Sequence, residues 1–183
     1  MTEADFLDGA FANQANVQLL TRLRSLELPD CYLTAGCLFQ SIWNSRSGRQ
    51  APWGIKDYDV FYFDSDVSWD AENRVIQAVT EKTVDLGINV EVRNQARVHL
   101  WYPQRFGRSC PQLQSARDGI DRYLICCTCV GINVTTGKLY APNGLQELES
   151  GLLRMNPQNP QADLFHLKAQ SYQSRWPWLT IVQ

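Results

Sequence analysis

Asp57 and Asp59 stand one residue apart in the run Lys56-Asp57-Tyr58-Asp59-Val60-Phe61-Tyr62-Phe63. The aromatic and branched residues from Tyr58 to Phe63 predict a strand. Strand side chains alternate, so both carboxylates fall on one face. Two acids at the start of an apolar strand are costly to bury without a partner. A divalent cation would neutralise them. Magnesium takes hard oxygen ligands, commonly one or two carboxylates completed by water and phosphate oxygens. Lys56, on a strand, would point away from Asp57 and is not expected to balance the pair.

A third acid, Glu91, lies in Ile88-Asn89-Val90-Glu91-Val92, which alternates in strand fashion. Its side chain is read as projecting opposite to Asn89 and Arg93. If this strand lies beside the first, Glu91 joins the aspartates. Three carboxylates can hold two divalent ions roughly 3.5–4 Å apart, which clamps the attacking and leaving oxygens of a displacement at phosphorus. Beyond Glu91 come Asn94, Gln95, Arg97 and His99. Arg97 is a candidate for bidentate contact with a triphosphate or a substrate acid, with a surface ion pair as its alternative. His99 is expected to be hydrogen-bonded and structural rather than a base. Lys168 and Arg175 either offset phosphate charge or belong to a solvated helix face.

The elements that must position these residues follow from periodicity and stop signals. Asp5 to Leu28 repeats apolar residues at helical spacing and is stopped by Pro29. A strand over 31–35 ends at Gly36, and a helix over 37–44 follows. In that turn, glycine lets a ligand approach the backbone, and the helix start offers free N–H groups to a phosphate. A loop rich in glycine, proline and polar residues covers 45–54. After the aspartate strand, Ser68 or Asp70 caps a helix to about Asp85, stopped by Gly87. A strand over 88–92, a helix over 113–123 and a strand over 124–135 follow. Thr136-Gly137 turns into 138–141, and a terminal helix covers 162–175. This order predicts an α+β fold with a small mixed sheet flanked by helices. With 183 residues the chain suits one domain better than two. The domain divides into an N-terminal helix over 5–28, a core over 31–141 and a helical tail over 162–183.

Composition excludes some functions. The formal net charge of -2 gives no general basic excess to offset duplex phosphates, so a duplex nucleic acid is not the expected partner. The acidic start lacks a basic, apolar leader, and no run approaches the roughly 20 apolar residues of a membrane span. A cytoplasmic location is the expectation. Six cysteines are present. Adjacent residues on a strand face opposite ways, so Cys126, Cys127 and Cys129 are expected to pack as small apolar side chains, not to bind metal.

Tyr32-Leu33-Thr34-Ala35-Gly36, a helix, a variable loop and Asp57-Tyr58-Asp59-Val60 together resemble the core of the polymerase-beta-like nucleotidyltransferases. The resemblance is closest to the small bacterial nucleotidyltransferase family once catalogued as a domain of unknown function. It extends through Ala35 to Gln40 with Trp43-Asn44, Lys56 to Asp59, Asn94 to Trp101, Ala141 to Leu145 and Arg175 to Trp178. It implies that Gly36, with Cys37 beside it, lines the nucleotide phosphates. It also implies that Asp57 and Asp59 bind magnesium or manganese, with Glu91 as the third carboxylate. Two departures stand out. Gly36-Cys37 replaces the common Gly-Gly or Gly-Ser, removing a possible hydroxyl contact, and the segment from Gly36 to Asp57 is longer than in minimal members. The implied activity is transfer of a nucleoside monophosphate from a nucleoside triphosphate to an acceptor, with a small molecule or protein favoured. The alternative is a catalytically inactive nucleotide-binding or regulatory protein of the same fold.

Overall fold

A computed structural model describes residues 1–182. The chain opens with α1 (Glu3–Phe11) and α2 (Gln14–Arg24) where one helix over 5–28 was expected. Asn13 makes the break. Its extended backbone ends one helix, and its side chain accepts from Ala15 N–H to cap the next. The same side chain donates to Ser41 Oγ and Tyr58 Oη, tying this corner to two core elements. Phe6, Ala10, Leu19, Leu20 and Leu23 all face the core, so the apolar periodicity runs straight through the break.

Then come β1 (Tyr32–Thr34), α3 (Gly36–Arg46), β2 (Asp57–Tyr62), α4 (Trp69–Thr83), β3 (Asn89–Asn94), α5 (Val98–Phe106) and α6 (Ala116–Ile120). The chain continues through β4 (Gly131–Asn133), β5 (Leu139–Tyr140), α7 (Gln146–Ser150), β6 (Leu152–Arg154), α8 (Ala162–Arg175) and β7 (Thr180–Val182). Five strands form a mixed sheet in the order β3-β2-β1-β4-β5. β1 runs antiparallel to both neighbours, while β2 and β3 are parallel and joined through α4. The fold is α+β, as expected. Along β2, Tyr58, Val60 and Tyr62 are buried in the core, and Asp57, Asp59 and Phe61 occupy the other face. One buried cluster runs from Phe6 to Leu179 and includes Trp43 and Trp176, both fully buried.

Three stretches depart from expectation. The apolar run 124–135 is not one strand. Ile125 bridges to Met155, residues 126–128 form a 3-10 turn, and only 131–133 are extended. Thr128 Oγ1 donates to Ile125 O at 2.8 Å, a local bond that competes with strand pairing. Cys126, Cys127 and Cys129 sit in and just after that turn, free and buried. The helix expected over 113–123 shrinks to α6, because Ser115 caps it only at residue 115. The tail over 162–183 is not wholly helical, since β7 pairs with β6 in a separate two-stranded sheet. Among the described residues, no helix is long and apolar enough to cross a membrane.

Candidate active site

Antiparallel register places Thr34 beside Asp59, so the chain leaving β1 passes Asp57 as it enters α3. Ala35 makes the turn at φ 64° and ψ -143°, a backbone conformation that an L-residue adopts only under strain. No side chain caps α3, which leaves its first N–H groups for a ligand. A side chain at Gly36 would run into the Gln40 amide. That amide is fixed in turn, because Arg175 donates to Gln40 Oε1 at 2.8 Å and to Gly54 O at 2.9 Å. A side chain here would therefore have to displace the Gln40 amide, and no positive φ favours glycine at this position.

On the other side of β2, parallel register sets Asp57 beside Asn89 and Asp59 beside Glu91. Asn89 Nδ2 donates to Asp57 Oδ1 at 2.8 Å, and Glu91 lies 3.7 Å from Arg93. Asn89, Glu91 and Arg93 thus share a face, as residues two apart on a strand must. The expectation that Glu91 opposes the other two is corrected. Burial, then the charges of Glu91 and Asp57, push the Asp59 carboxyl up to about 7, while Lys168 and Arg93 oppose the shift. Among the described residues neither aspartate is in an ion pair.

This face opens into a cavity of about 550 Å³, a size that suits a small ligand. Gly36, Asp57 and Asp59 line it together, while Glu91 is in register with Asp59 but is not one of the lining residues. Its lining carries two acids, both aspartates, and five cations: Lys56, Arg93, Arg122, Lys168 and Arg175. A cationic lining around a carboxylate pair suits a polyanion that shares a cation with those carboxylates. Lys168 and Arg175 reach the cavity from α8, seven residues apart and so on one helical face. Lys56 lines it because β2 begins only at Asp57, so strand alternation does not govern its direction. Arg93 and Arg122 were not singled out from the sequence. Arg93 is legible afterwards, because it shares a face with Glu91.

Two expected nucleotide contacts lie elsewhere. The Cys37 side chain is buried, with its thiol donating to Thr34 O at 3.2 Å and burial holding its pKa well above the ordinary thiol value. Arg97 does not line the cavity. It pairs with Glu72 on α4 and donates from Nε to Val67 O at 2.9 Å. Glu72 also accepts from Asn94 N–H, so the pair locks α4 onto the end of β3. Asn94, fully buried, ties down the 64–66 loop by donating to Asp64 O and Asp66 O. The Asn94–Arg97 stretch therefore supports the acid-bearing strands, and its cavity contact is Gln95. His99 is likewise outside the lining, with Nδ1 buried and unpaired.

A magnesium-type ion fits this donor set. The charges of Glu91 and Asp57 raise the proton affinity of Asp59, and hard oxygens are what such an ion takes. Among the described residues, no group of three His, Cys, Asp or Glu side chains is placed to hold a metal ion. An ion held by one or two carboxylates and phosphate oxygens does not need one.

Comparison with known proteins agrees with this geometry. A family model described as nucleotidyltransferase matches residues 21–181. No curated protein sequence matches the chain. Among solved structures, a protein whose NMR structure reveals a CCA-adding enzyme head domain superposes with TM-score 0.76 at 24% identity, covering 100% of this chain and 96% of that one. A CCA-adding enzyme in complex with ATP superposes with TM-score 0.53 at 12% identity, covering 90% of this chain and 37% of that one. These likenesses show that the chain shares the fold of a CCA-adding enzyme head domain. With most of its length matched and its carboxylates on adjoining strands, the chain belongs to the nucleotidyltransferase family.

Proposed function

We propose that this protein transfers a nucleoside monophosphate from a nucleoside triphosphate to an acceptor hydroxyl, releasing pyrophosphate, with magnesium or manganese as cofactor. The observation that carries this reading is the register of β1, β2 and β3. It lines up the start of α3 and the pair Asp57 and Asp59 along one edge of a cationic cavity, with Glu91 in register beside Asp59.

In this reading the N–H groups at the start of α3, next to Gly36, receive the triphosphate oxygens. Lys56, Lys168 and Arg175 offset its charge. Asp57, Asp59 and Glu91 hold the divalent ion, which when bound supplies charge neutralisation at the triphosphate and lowers the pKa of the attacking hydroxyl. The acceptor oxygen bonds to the α-phosphorus, the bond from that phosphorus to the bridging oxygen breaks, and the hydroxyl proton passes through the carboxylates to solvent. The chain provides position and charge and no nucleophile of its own. The acceptor is a small molecule or a protein side chain, a reading that the small cavity supports.

The test is pyrophosphate release with each nucleoside triphosphate, with and without magnesium or manganese, and with extract as acceptor source. Release that needs the metal and disappears in Asp57→Asn and Asp59→Asn supports the reading. Nucleotide binding without release under any condition would move the protein to a regulatory, non-catalytic role.

A further inference from the structure

The cavity has a direction. Gly36, Gln40, Gly54 and Arg175 are in mutual contact near the Asp57 end of β2. Asp59 is two residues on, and Phe61 two beyond that, each step about 6.6 Å along a strand. β3 runs the same way and leads through Gln95 into α5, which begins beyond the Tyr62 end of β2 and whose Trp101, Tyr102 and Phe106 line the cavity.

These three rings have no place in the core. They belong to neither buried hydrophobic cluster, and Phe106 is 44% exposed. They pack on one another. Tyr102 and Phe106 have centroids 4.6 Å apart at 47°, and Trp101 lies 6.1 Å from Tyr102 and 6.3 Å from Phe106. Of the tryptophans, Trp43 and Trp176 are fully buried, whereas Trp101 alone lines the cavity among the described residues. Half-exposed rings facing a polar cavity leave apolar surface in water unless a flat ligand covers it.

The phosphate-binding start of α3, the carboxylates and the aromatic wall therefore occur in the covalent order of a nucleoside triphosphate: β- and γ-phosphates, α-phosphate, nucleoside. We propose that the nucleobase of the bound triphosphate stacks against Trp101, Tyr102 and Phe106. The assignment rests on the nucleotidyl-transfer reading and adds its base site. Every base presents a π-face, so stacking gives affinity whatever the base.

Binding of the four ribonucleoside triphosphates and of inorganic tripolyphosphate, each with magnesium, would be measured by calorimetry. The proteins are the wild type, Trp101→Ala, Trp101→Phe and Phe106→Ala. Phe106 is exposed enough to be truncated without unfolding the chain, and thermal unfolding checks each variant. Each alanine variant is expected to lose about tenfold in nucleotide affinity, to keep its tripolyphosphate affinity, and Trp101→Phe is expected to recover most of the loss. Unchanged nucleotide affinity in both alanine variants overturns the base site, as does an equal loss of tripolyphosphate. A wild type that binds tripolyphosphate as tightly as every nucleotide also overturns it, yet leaves the phosphate site standing. A wild type that binds neither overturns the nucleotide reading as a whole.

Discussion

Asp59 on β2 stands in register with Glu91 on β3, and the negative charge of Glu91 is, after burial, the largest influence raising the Asp59 carboxyl to about 7. An acid raised in the fold contributes stability that is fully present below its unfolded pKa, near 3.8, and is lost as pH rises through about 7. Without divalent ions, wild-type stability relative to Asp59→Asn should therefore fall between about pH 4 and pH 7 and level off above that. Above pH 8 the variant should be the more stable by roughly 2–4 kcal/mol. With magnesium or manganese, wild-type ion affinity should rise through the same window, because the ligand must lose its proton. Chemical denaturation at several pH values, with and without the metal, checks both.

The strain at Ala35 makes a second prediction. Its φ of 64° suits glycine and penalises any Cβ. Ala35→Gly should stabilise the protein by about 1 kcal/mol, the relief in the fold outweighing the added freedom of the unfolded chain. Ala35→Val should destabilise it by roughly 2 kcal/mol. Melting curves of the two variants should move in opposite directions.

Gly36 is sensitive for a different reason. Alanine there displaces the Gln40 amide and breaks its bond with Arg175, at the entrance proposed for the phosphates. Gly36→Ala should weaken nucleoside triphosphate binding about tenfold, the loss of roughly one charge-assisted hydrogen bond. Unfolding should change little by comparison. Titration of the nucleotide beside a melting curve separates the two effects.

Arg97 should behave in the opposite way. Its guanidinium and the Glu72 carboxylate are nearly buried against each other. Arg97→Ala leaves an unpaired acid under α4 and should cost about 3–5 kcal/mol. Double replacement, Arg97→Met with Glu72→Leu, should recover most of that loss. Nucleotide affinity of the folded variant should stay near wild type. A variant of normal stability that has lost nucleotide binding would return Arg97 to the phosphate site.

What the sequence shows about this site follows from which forces are local. The Asp57/Asp59 pair, the strand that carries it and the helix over 162–175 are all legible because period-two and period-3.6 patterns run through residues that are contiguous in sequence. The Gly36 turn is legible for the same reason. Arg97 and Cys37 could not be placed that way. Arg97 depends on a partner 25 residues away, Glu72, and Cys37 on the core that buries it at the start of α3. The helix α5 escaped notice because Pro103 sits inside it, where a proline usually argues against helix. The strand β7 escaped because three residues after Pro177 give too short a pattern, and its partner β6 is equally short. The separation of the expected first helix into two hinges on Asn13, a single capping residue within an unbroken apolar rhythm.

The central claim is that the chain carries out displacement at the α-phosphorus of a nucleoside triphosphate. The most direct test follows label from α- and γ-labelled nucleotide in parallel, with magnesium and cell extract, for wild type and Asp57→Asn/Asp59→Asn. The account predicts that the α-label enters the product and the γ-label leaves as pyrophosphate, both only with wild type and metal. Transfer of the γ-label to the product, or α-label transfer that survives loss of both aspartates, would contradict it.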